Sequence, residues 1–361
     1  MLTSEQIKKV INEYLDPVSG MSLGASNSTS KITSDDNSLQ IELMLGYPAQ
    51  GHQASMKANL EETLKEQAGI QNVTVSITSN IIKHKVQQGV KGLKNVKNII
   101  AIASGKGGVG KSTTSINLAL ALTAEGANVG LLEADIYGPS QPRMLGKNAK
   151  PQSEDGKTIE PIESDGLQTM SIGYLIDEEE PMVWRGPMVT QALQQLLNDT
   201  NWTDLDYLII DLPPGTGDIQ LTLSQNVPVS GAVIVTTPQD ISLLDARKAL
   251  KMFEKVNVPV MGVIENMSTH ICSECGHEEH IFGTGGGEKM AKQYNIDLLG
   301  SLPLNIKIRQ DVDEGNATVV SDPDGDIARS YRDIAVKVAA RLAQQGKDYS
   351  SAFPNIVVKN D

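Results

Sequence analysis

The sequence predicts an α/β protein in which a doubly wound, mostly parallel sheet is preceded by a small α/β domain. Three observations carry this expectation. The apolar runs 99–103, 129–132, 207–210, 233–235 and 260–264 do not alternate with polar residues, which suits strands covered on both faces. Helical patterns separate these runs, the order expected of a parallel sheet. A glycine-rich phosphate-loop pattern follows the first run directly and opens a helix.

Residues 1–80 read as the small domain. Ser4 is placed to cap a helix reaching Leu15, with Ile7, Val10, Ile11 and Tyr14 on one face. The stretch 24–38, rich in Ser, Thr, Asn and Asp, reads as a loop. Alternation predicts strands at 39–43 and 73–77, and Met56, Leu60, Leu64 and Ala68 mark a helix between them. Residues 81–97 are basic and glycine-punctuated, with Lys83, Lys85, Lys91, Lys94 and Lys97, and read as a linker. Residues 98–361 form the second domain. There, Ile116, Leu120 and Leu122 belong to the helix after the phosphate loop. Ser242 and Asp245 have capping-box spacing ahead of Leu243, Ala246, Leu250 and Phe253. A turn at 283–287 leads into a helix at Glu288, and Ile327, Tyr331, Ile334, Val338 and Leu342 make the last helix amphipathic.

A length of 361 residues favours two domains, and an aromatic content of 4% requires a mostly aliphatic core. The net charge of −13 lacks the electrostatic footprint of a nucleic-acid or acidic-membrane binder. The N-terminus has neither the basic start nor the apolar stretch of a secretory signal, and no tract approaches the ~20 apolar residues that cross a bilayer. A cytoplasmic protein with no nucleic-acid or membrane partner is expected. In that reducing compartment the two cysteines suggest a metal or redox site.

Gly105, Lys106, Gly107, Gly108, Val109, Gly110, Lys111 and Ser112 fit the pattern G-x-x-x-x-G-K-[ST]. Glycines let backbone N–H groups turn inward around phosphates, and the helix N-terminus, with Thr113, adds a favourable dipole. Lys111 is expected on the β- and γ-phosphates of ATP and Ser112 on Mg²⁺. Asp211 ends an apolar run and enters the loop Leu212, Pro213, Pro214, Gly215. A fixed carboxylate beside the magnesium shell, followed by a mobile loop that includes Gly215, suits a γ-phosphate sensor. Asp135 is a second candidate carboxylate. No guanine-reading Asn-Lys-x-Asp tetrapeptide occurs, so the expected reaction is ATP hydrolysis.

Cys272 and Cys275 bring two thiols to one place by the spacing that soft metal ions favour. Two chains related by a dimer axis supply four thiolates, which suits a [4Fe–4S] cluster. Zinc held by Cys272, Cys275, His277 and His280 of one chain is a second reading, cramped by the single residue between Cys275 and His277. A redox dithiol is a third, without a thioredoxin-like context.

With its extra lysine, Lys106, the phosphate loop resembles the deviant Walker A of the nitrogenase iron protein and the Min and Par ATPases. That resemblance implies that Lys106 reaches phosphates bound by the partner subunit. Together with 134–140, Trp184-Arg185-Gly186-Pro187-Met188, 206–223 and 265–287, the chain resembles the Mrp (ApbC-type) iron–sulfur cluster carrier ATPases over about residues 96–320. The resemblance implies a homodimer that hydrolyses ATP and holds a labile [4Fe–4S] cluster on the paired Cys272 and Cys275. It also implies a cluster donor and recipient apoproteins. Asn266 would contact adenine, and Asp135 would belong to the first switch loop. Glu133 stands where an Asp is common.

Residues 1–80 resemble the small domain of iron–sulfur assembly proteins through Asp16, Pro17 and the element order. A cysteine often found there has no counterpart in 46–53. Two rival functions are a positioning ATPase of the Min or Par kind and a nucleotide-gated zinc scaffold. The first would end in a basic amphipathic helix; here the last helix is followed by Gly346 and a polar tail ending Lys359, Asn360, Asp361.

Overall fold

The computed structural model describes residues 3–35, 38–68, 70, 72–87, 90–176, 186–272 and 274–348. Trp184, Arg185 and the tail beyond 348 lie outside the described residues.

The N-terminal unit comprises α1 (Ser4–Glu13), β1 (Thr29–Ser34), β2 (Ser38–Leu45), α2 (Gln53–Ala68) and β3 (Asn72–Ser79). β2 lies between an antiparallel β1 and a parallel β3, with α2 as the crossover. Thr3, not Ser4, caps α1. Its hydroxyl accepts from the Gln6 N–H at 3.3 Å while Gln6 Oε1 accepts from the Thr3 N–H at 2.8 Å. The helix stops at Glu13, short of Leu15, because Tyr14 leaves the helical region with ψ 123°. β1 falls inside the stretch expected to be a loop. It is an edge strand with no fully buried position, so it carries no apolar alternation to read.

The second unit holds an eight-stranded sheet. In chain order its elements are β4 (Val96–Ala103), α3 (Lys111–Ala124), β5 (Val129–Glu133), β6 (Ile162–Ser164), β7 (Leu167–Met170), α4 (Gly186–Asp199), β8 (Leu205–Asp211), α5 (Asp218–Asn226), β9 (Gly231–Thr236), α6 (Asp240–Lys255) and β10 (Val260–Glu265). A small hairpin, β11 (His270–Ile271) and β12 (Glu278–Glu279), precedes α7 (Gly286–Tyr294), β13 (Leu298–Ser301), α8 (Ile306–Asp313) and α9 (Asp326–Ala343). The sheet order is β13-β10-β9-β4-β8-β5-β7-β6, parallel except for the terminal β6–β7 hairpin. The five expected runs are five of its strands. The edge strands β6 and β13 and the neighbouring β7 have only three or four residues each, too few to give a periodic signal.

Central β4 explains the unbroken apolar runs. Ile100 and Ile102 enter one core with Ile116 and Leu120 of α3 and Ile334 of α9. Ile99 and Ala101 enter the other with Leu193 of α4 and Phe253 of α6. Successive side chains point to opposite faces of a strand, and here both faces are covered. Ser242 does not cap α6. Gln239 occupies that position, and the Ser242 hydroxyl instead pairs with Thr236 Oγ1 at 3.1 Å and accepts from the Thr237 N–H at 3.3 Å. Among the described residues no helix is long and apolar enough to cross a membrane.

The two units share one continuous core. Buried Glu125, at the C-terminal end of the phosphate-loop helix α3, accepts from the Gly51 N–H at 2.8 Å and from Arg332 Nε at 2.7 Å. The basic tract between the units is also fastened. Buried His84 has its N–H donated to Asn98 Oδ1 at 3.0 Å, and Lys85 N–H donates to the Gly346 carbonyl at 3.1 Å. Removing one member of a buried ion pair leaves the other uncompensated. Glu125→Ala should therefore cost about 3 kcal/mol in urea unfolding and speed amide exchange in residues 47–52. Unchanged exchange there would show that Glu125 does not hold the units together.

Candidate functional site

The phosphate loop lies where β4 gives way to α3, at the carboxyl ends of the central strands, the usual crevice of a doubly wound sheet. Gly108 and Gly110 have φ of 78° and 80°, a region closed to most side chains. A Cβ on Gly105 would come within 2.1 Å of the Asp245 carbonyl carbon, so α6 packs directly against the loop. Gly110 caps α3 without a side chain, which leaves the N–H groups of the first turn to an external acceptor.

Lys111 and Asp211 form a buried ion pair, Nζ to Oδ1 at 2.5 Å. Ser115, one turn beyond Lys111, donates to the same Oδ1 at 2.8 Å. Gln141 Nε2 reaches Asp211 Oδ2 and the Ser112 carbonyl, both at 3.2 Å. The loop after Asp211 is tied back to the phosphate loop, since Gly215 N–H donates to the Ser104 carbonyl at 2.9 Å. Lys106 is part-exposed and forms no ion pair among the described residues.

Asp135 and Glu133 complete an acidic rim. Burial pushes the Asp135 carboxyl up; Lys111 opposes this, and Asp211 adds to it. Glu133 is fully buried and accepts from Ser171 Oγ at 2.6 Å, the Ser140 N–H at 2.6 Å and the Gln141 N–H at 3.1 Å. Burial pushes its carboxyl up to about 7, although those donors pull the other way. Glu133 thus holds the segment that presents Gln141 to Asp211. Neither Gln141, Ser115 nor the role of Glu133 was legible beforehand. Ser115 had one available signal, its i+4 position on the helix face of Lys111.

Asn266 follows β10. Its Nδ2 donates to the Val109 carbonyl at 2.9 Å, so it braces the phosphate loop. It also lines a cavity of about 500 Å³ with Gly110, Thr113, Met267, Leu304 and Asn305. Its lining is apolar with the amides of Asn266 and Asn305 and the charged Arg143, Arg309 and Asp313, and next to the first turn of α3 such a mixed lining suits a nucleoside.

The cysteines lie on the β11–β12 hairpin, at the same end of the sheet. Cys272 N–H donates to the His277 carbonyl and Gly276 N–H to the Cys272 carbonyl, both at 2.9 Å. The N–H groups of Cys275 and Glu274, then the Cys275 thiol, hold the Cys272 thiol below its ordinary range. Both cysteines are free, and the flanking Ile271 and Ile281 are exposed. The histidines point elsewhere. His280 Nδ1 bonds the Ser268 carbonyl at 3.0 Å and His277 faces Glu279 at 3.7 Å. No group of three or more metal-ligating side chains is assembled among the described residues.

The profile of the NUBPL iron-transfer P-loop NTPase family matches residues 95–339, and that of an iron-sulfur cluster assembly protein family matches 4–77. An iron-sulfur cluster carrier protein of Escherichia coli strain K12 is 54% identical over 313 residues, 86% of this chain and 85% of the relative. A nucleotide-binding protein of Archaeoglobus fulgidus, solved in complex with ADP and with cobalt, is 35% identical with a TM-score of 0.56. The match covers 64% of this chain and 90% of that one. The cell division ATPase MinD of Pyrococcus furiosus shares the fold at 21% identity and a TM-score of 0.51, over 67% of this chain and 98% of that one.

The raised carboxyl of Glu133 sets a pH dependence. From its ordinary value of 4.5 up to about 7 the folded state binds the extra proton. Stability from this group is therefore full below 4.5 and declines as pH rises through 7, by on the order of 3 kcal/mol. Glu133→Gln keeps the shape without the charge. The difference between variant and wild-type unfolding free energies in urea should grow from pH 5 to pH 8. A difference that stays constant would place the Glu133 titration elsewhere.

Proposed function

The chain belongs to the NUBPL iron-transfer P-loop NTPase family, and from that premise we propose an ATP-hydrolysing carrier that assembles an iron–sulfur cluster and transfers it to apoproteins. The observation that carries this reading is a complete phosphate loop and a free cysteine pair, Cys275 exposed and Cys272 half-buried, on segments that follow strands of one sheet. We assign residues 1–80 to an assembly-type domain, 81–97 to the tract that joins the units, and 98–361 to the ATPase, in a cytoplasmic homodimer.

ATP enters with its phosphates on the N–H groups of 105–113. Lys111 exchanges Asp211 for the β- and γ-phosphates, and Asn266 with its neighbouring cavity takes the adenine. The exchange frees Asp211 from Lys111, and the loop that follows it, including Gly215, is placed to respond to the γ-phosphate. The residues present fit magnesium. Ser112 offers a hydroxyl, Asp135 and Asp211 offer carboxylates, and buried Gln141 Oε1 has no hydrogen-bond partner among the described residues. Bound there, the ion would neutralise developing phosphate charge; Ser112 would hold it and Asp135 and Asp211 would orient its shell. Lys106, part-exposed and without an ion pair among the described residues, is placed to reach the partner subunit's nucleotide.

The cluster is cargo. Four thiolates hold a cubane, and each chain has two, so an isologous contact through the hairpins completes the set. Exposed Ile271 and Ile281 give that contact apolar area. Cluster donor and recipients follow as protein partners.

Lys106→Ala should bind ATP but lose most turnover, and Asp211→Asn should be inactive. Mixing the two should restore part of the activity, because one heterodimer site pairs an intact Asp211 with the partner's intact lysine. No recovery at any ratio would exclude a shared site.

Anaerobic reconstitution with iron and sulfide should give a broad visible band and about one [4Fe–4S] cluster per dimer. Cys272→Ala and Cys275→Ala should each lose the band yet still bind ATP; His277→Ala and His280→Ala should keep it. Loss of metal in the histidine variants, with one zinc per chain in the purified protein, would replace this reading with a zinc scaffold.

A further inference from the structure

We propose that the groove between α5, α6 and α7 docks an acidic protein segment carrying an apolar anchor, and that this docking is coupled to the nucleotide site. The groove encloses about 480 Å³. Leu221, Leu244 and Met252 form an apolar floor, and Leu244 is 49% exposed. Arg247, Lys248, Lys251 and Lys255 rim it, and their spacing places them along one side of α6.

The fold does not require these cations. Lys248 meets Asp245 at 2.9 Å and Lys251 meets Glu254 at 2.6 Å, but both are exposed pairs within one helix and contribute little. Arg247 donates Nε to the Leu243 carbonyl at 3.2 Å, and neither Arg247 nor Lys255 has a carboxylate partner among the described residues. The helix dipole favours Lys255 in the last turn, yet it does not account for Arg247 two turns earlier. Lys251 is further held over the Tyr294 ring, 5.3 Å from its centroid.

In a chain of net charge −13, four cations around an apolar floor are a local inversion. The chemistry that complements them is a leucine or phenylalanine on the floor with carboxylates at the rim. A polynucleotide is disfavoured on length. The cationic stretch 247–255 spans only about 12 Å of helix, too short to track several phosphates.

The coupling follows from two contacts. Thr216 lines the groove, and it belongs to the loop that leaves Asp211. The backbone of α6 also abuts Gly105 of the phosphate loop. An occupant therefore touches the elements that hold Lys111 and Asp211. This part rests on the reading of that loop as γ-phosphate-sensitive. Coupling between two ligands is reciprocal, so ATP must change the affinity of the groove.

Fluorescence anisotropy tests the proposal with the full chain and a panel of short labelled acidic peptides, each bearing one leucine or phenylalanine. Controls are the same peptides with amides in place of carboxylates and a labelled single-stranded oligonucleotide. Acidic peptides should bind and amide peptides should not. The double variant Lys251→Glu, Lys255→Glu and the single variant Leu244→Ser should each weaken binding about tenfold, with basal ATP hydrolysis and urea unfolding unchanged. ATP should shift the wild-type affinity. Lys111→Ala should keep the affinity and lose the shift, which separates failure of the nucleotide reading from failure of the groove. Absence of binding across the panel, or equal binding by the charge-reversed variant, overturns the docking site. Tighter oligonucleotide binding that is lost in the same variant overturns it in favour of nucleic acid. Peptide affinity indifferent to ATP overturns the coupling.

Discussion

The fold turns on a lysine and an aspartate placed where water hardly reaches. Lys111 and Asp211 are almost wholly buried, and desolvating two ions costs several kcal/mol each before any contact offsets it. The pair survives because Asp211 has further donors: Ser115 on one oxygen and Gln141 on the other. Each donor comes from a different segment. Lys111 and Ser115 set α3 against the end of β8, and Gln141 sets the segment after β5. The charge pair thereby fixes the spacing of three structural elements around the crevice.

The same economy explains why the loop relies on backbone N–H groups for anion binding. Asp135 and Asp211 share one ammonium, Glu133 lies close enough to feel Asp211, and burial has already pushed the Glu133 and Asp135 carboxyls up. A polyanion brought to this rim meets excess negative charge. Oriented N–H dipoles at a helix N-terminus attract phosphate without adding further side chains to desolvate. Glu133 contributes at a distance: it holds the Ser140 and Gln141 N–H groups, and Gln141 then holds Asp211.

What the sequence made legible follows from how local each requirement is. Gly105, Lys106, Gly107, Gly108, Gly110, Lys111 and Ser112 were readable because one short backbone path demands them in order. Asp211 was readable as the last residue of an apolar run. Ser242 misled because a hydroxyl two residues into a helix suits either a cap or an inward bond, and only the neighbouring β9 decides. The Gly46–Gln53 stretch, noted for lacking a cysteine, is a contact element here. A Cβ on Gly46 would meet the Ser26 carbonyl oxygen at 2.4 Å and one on Gly51 would meet the Arg332 guanidinium at 2.0 Å. Close approach between chain segments at those points is invisible to any pattern along the chain.

The two sites differ in completeness, and the difference bears on what they do. Nearly every group around Asp211 is supplied by one chain and buried, which suits chemistry that needs fixed geometry. The cysteines sit on a two-by-two-residue hairpin whose flanking Ile271 and Ile281 are exposed, and one chain brings only two thiols there. A cargo site that closed within one chain would hold its cluster whatever the protein's association. The proposed site, completed by a second copy, would hold it only while the two hairpins face each other, so retention would depend on assembly and hence on concentration and on whatever alters the interface. Lys106 reaching across that same interface would place ATP and cargo under one geometric control.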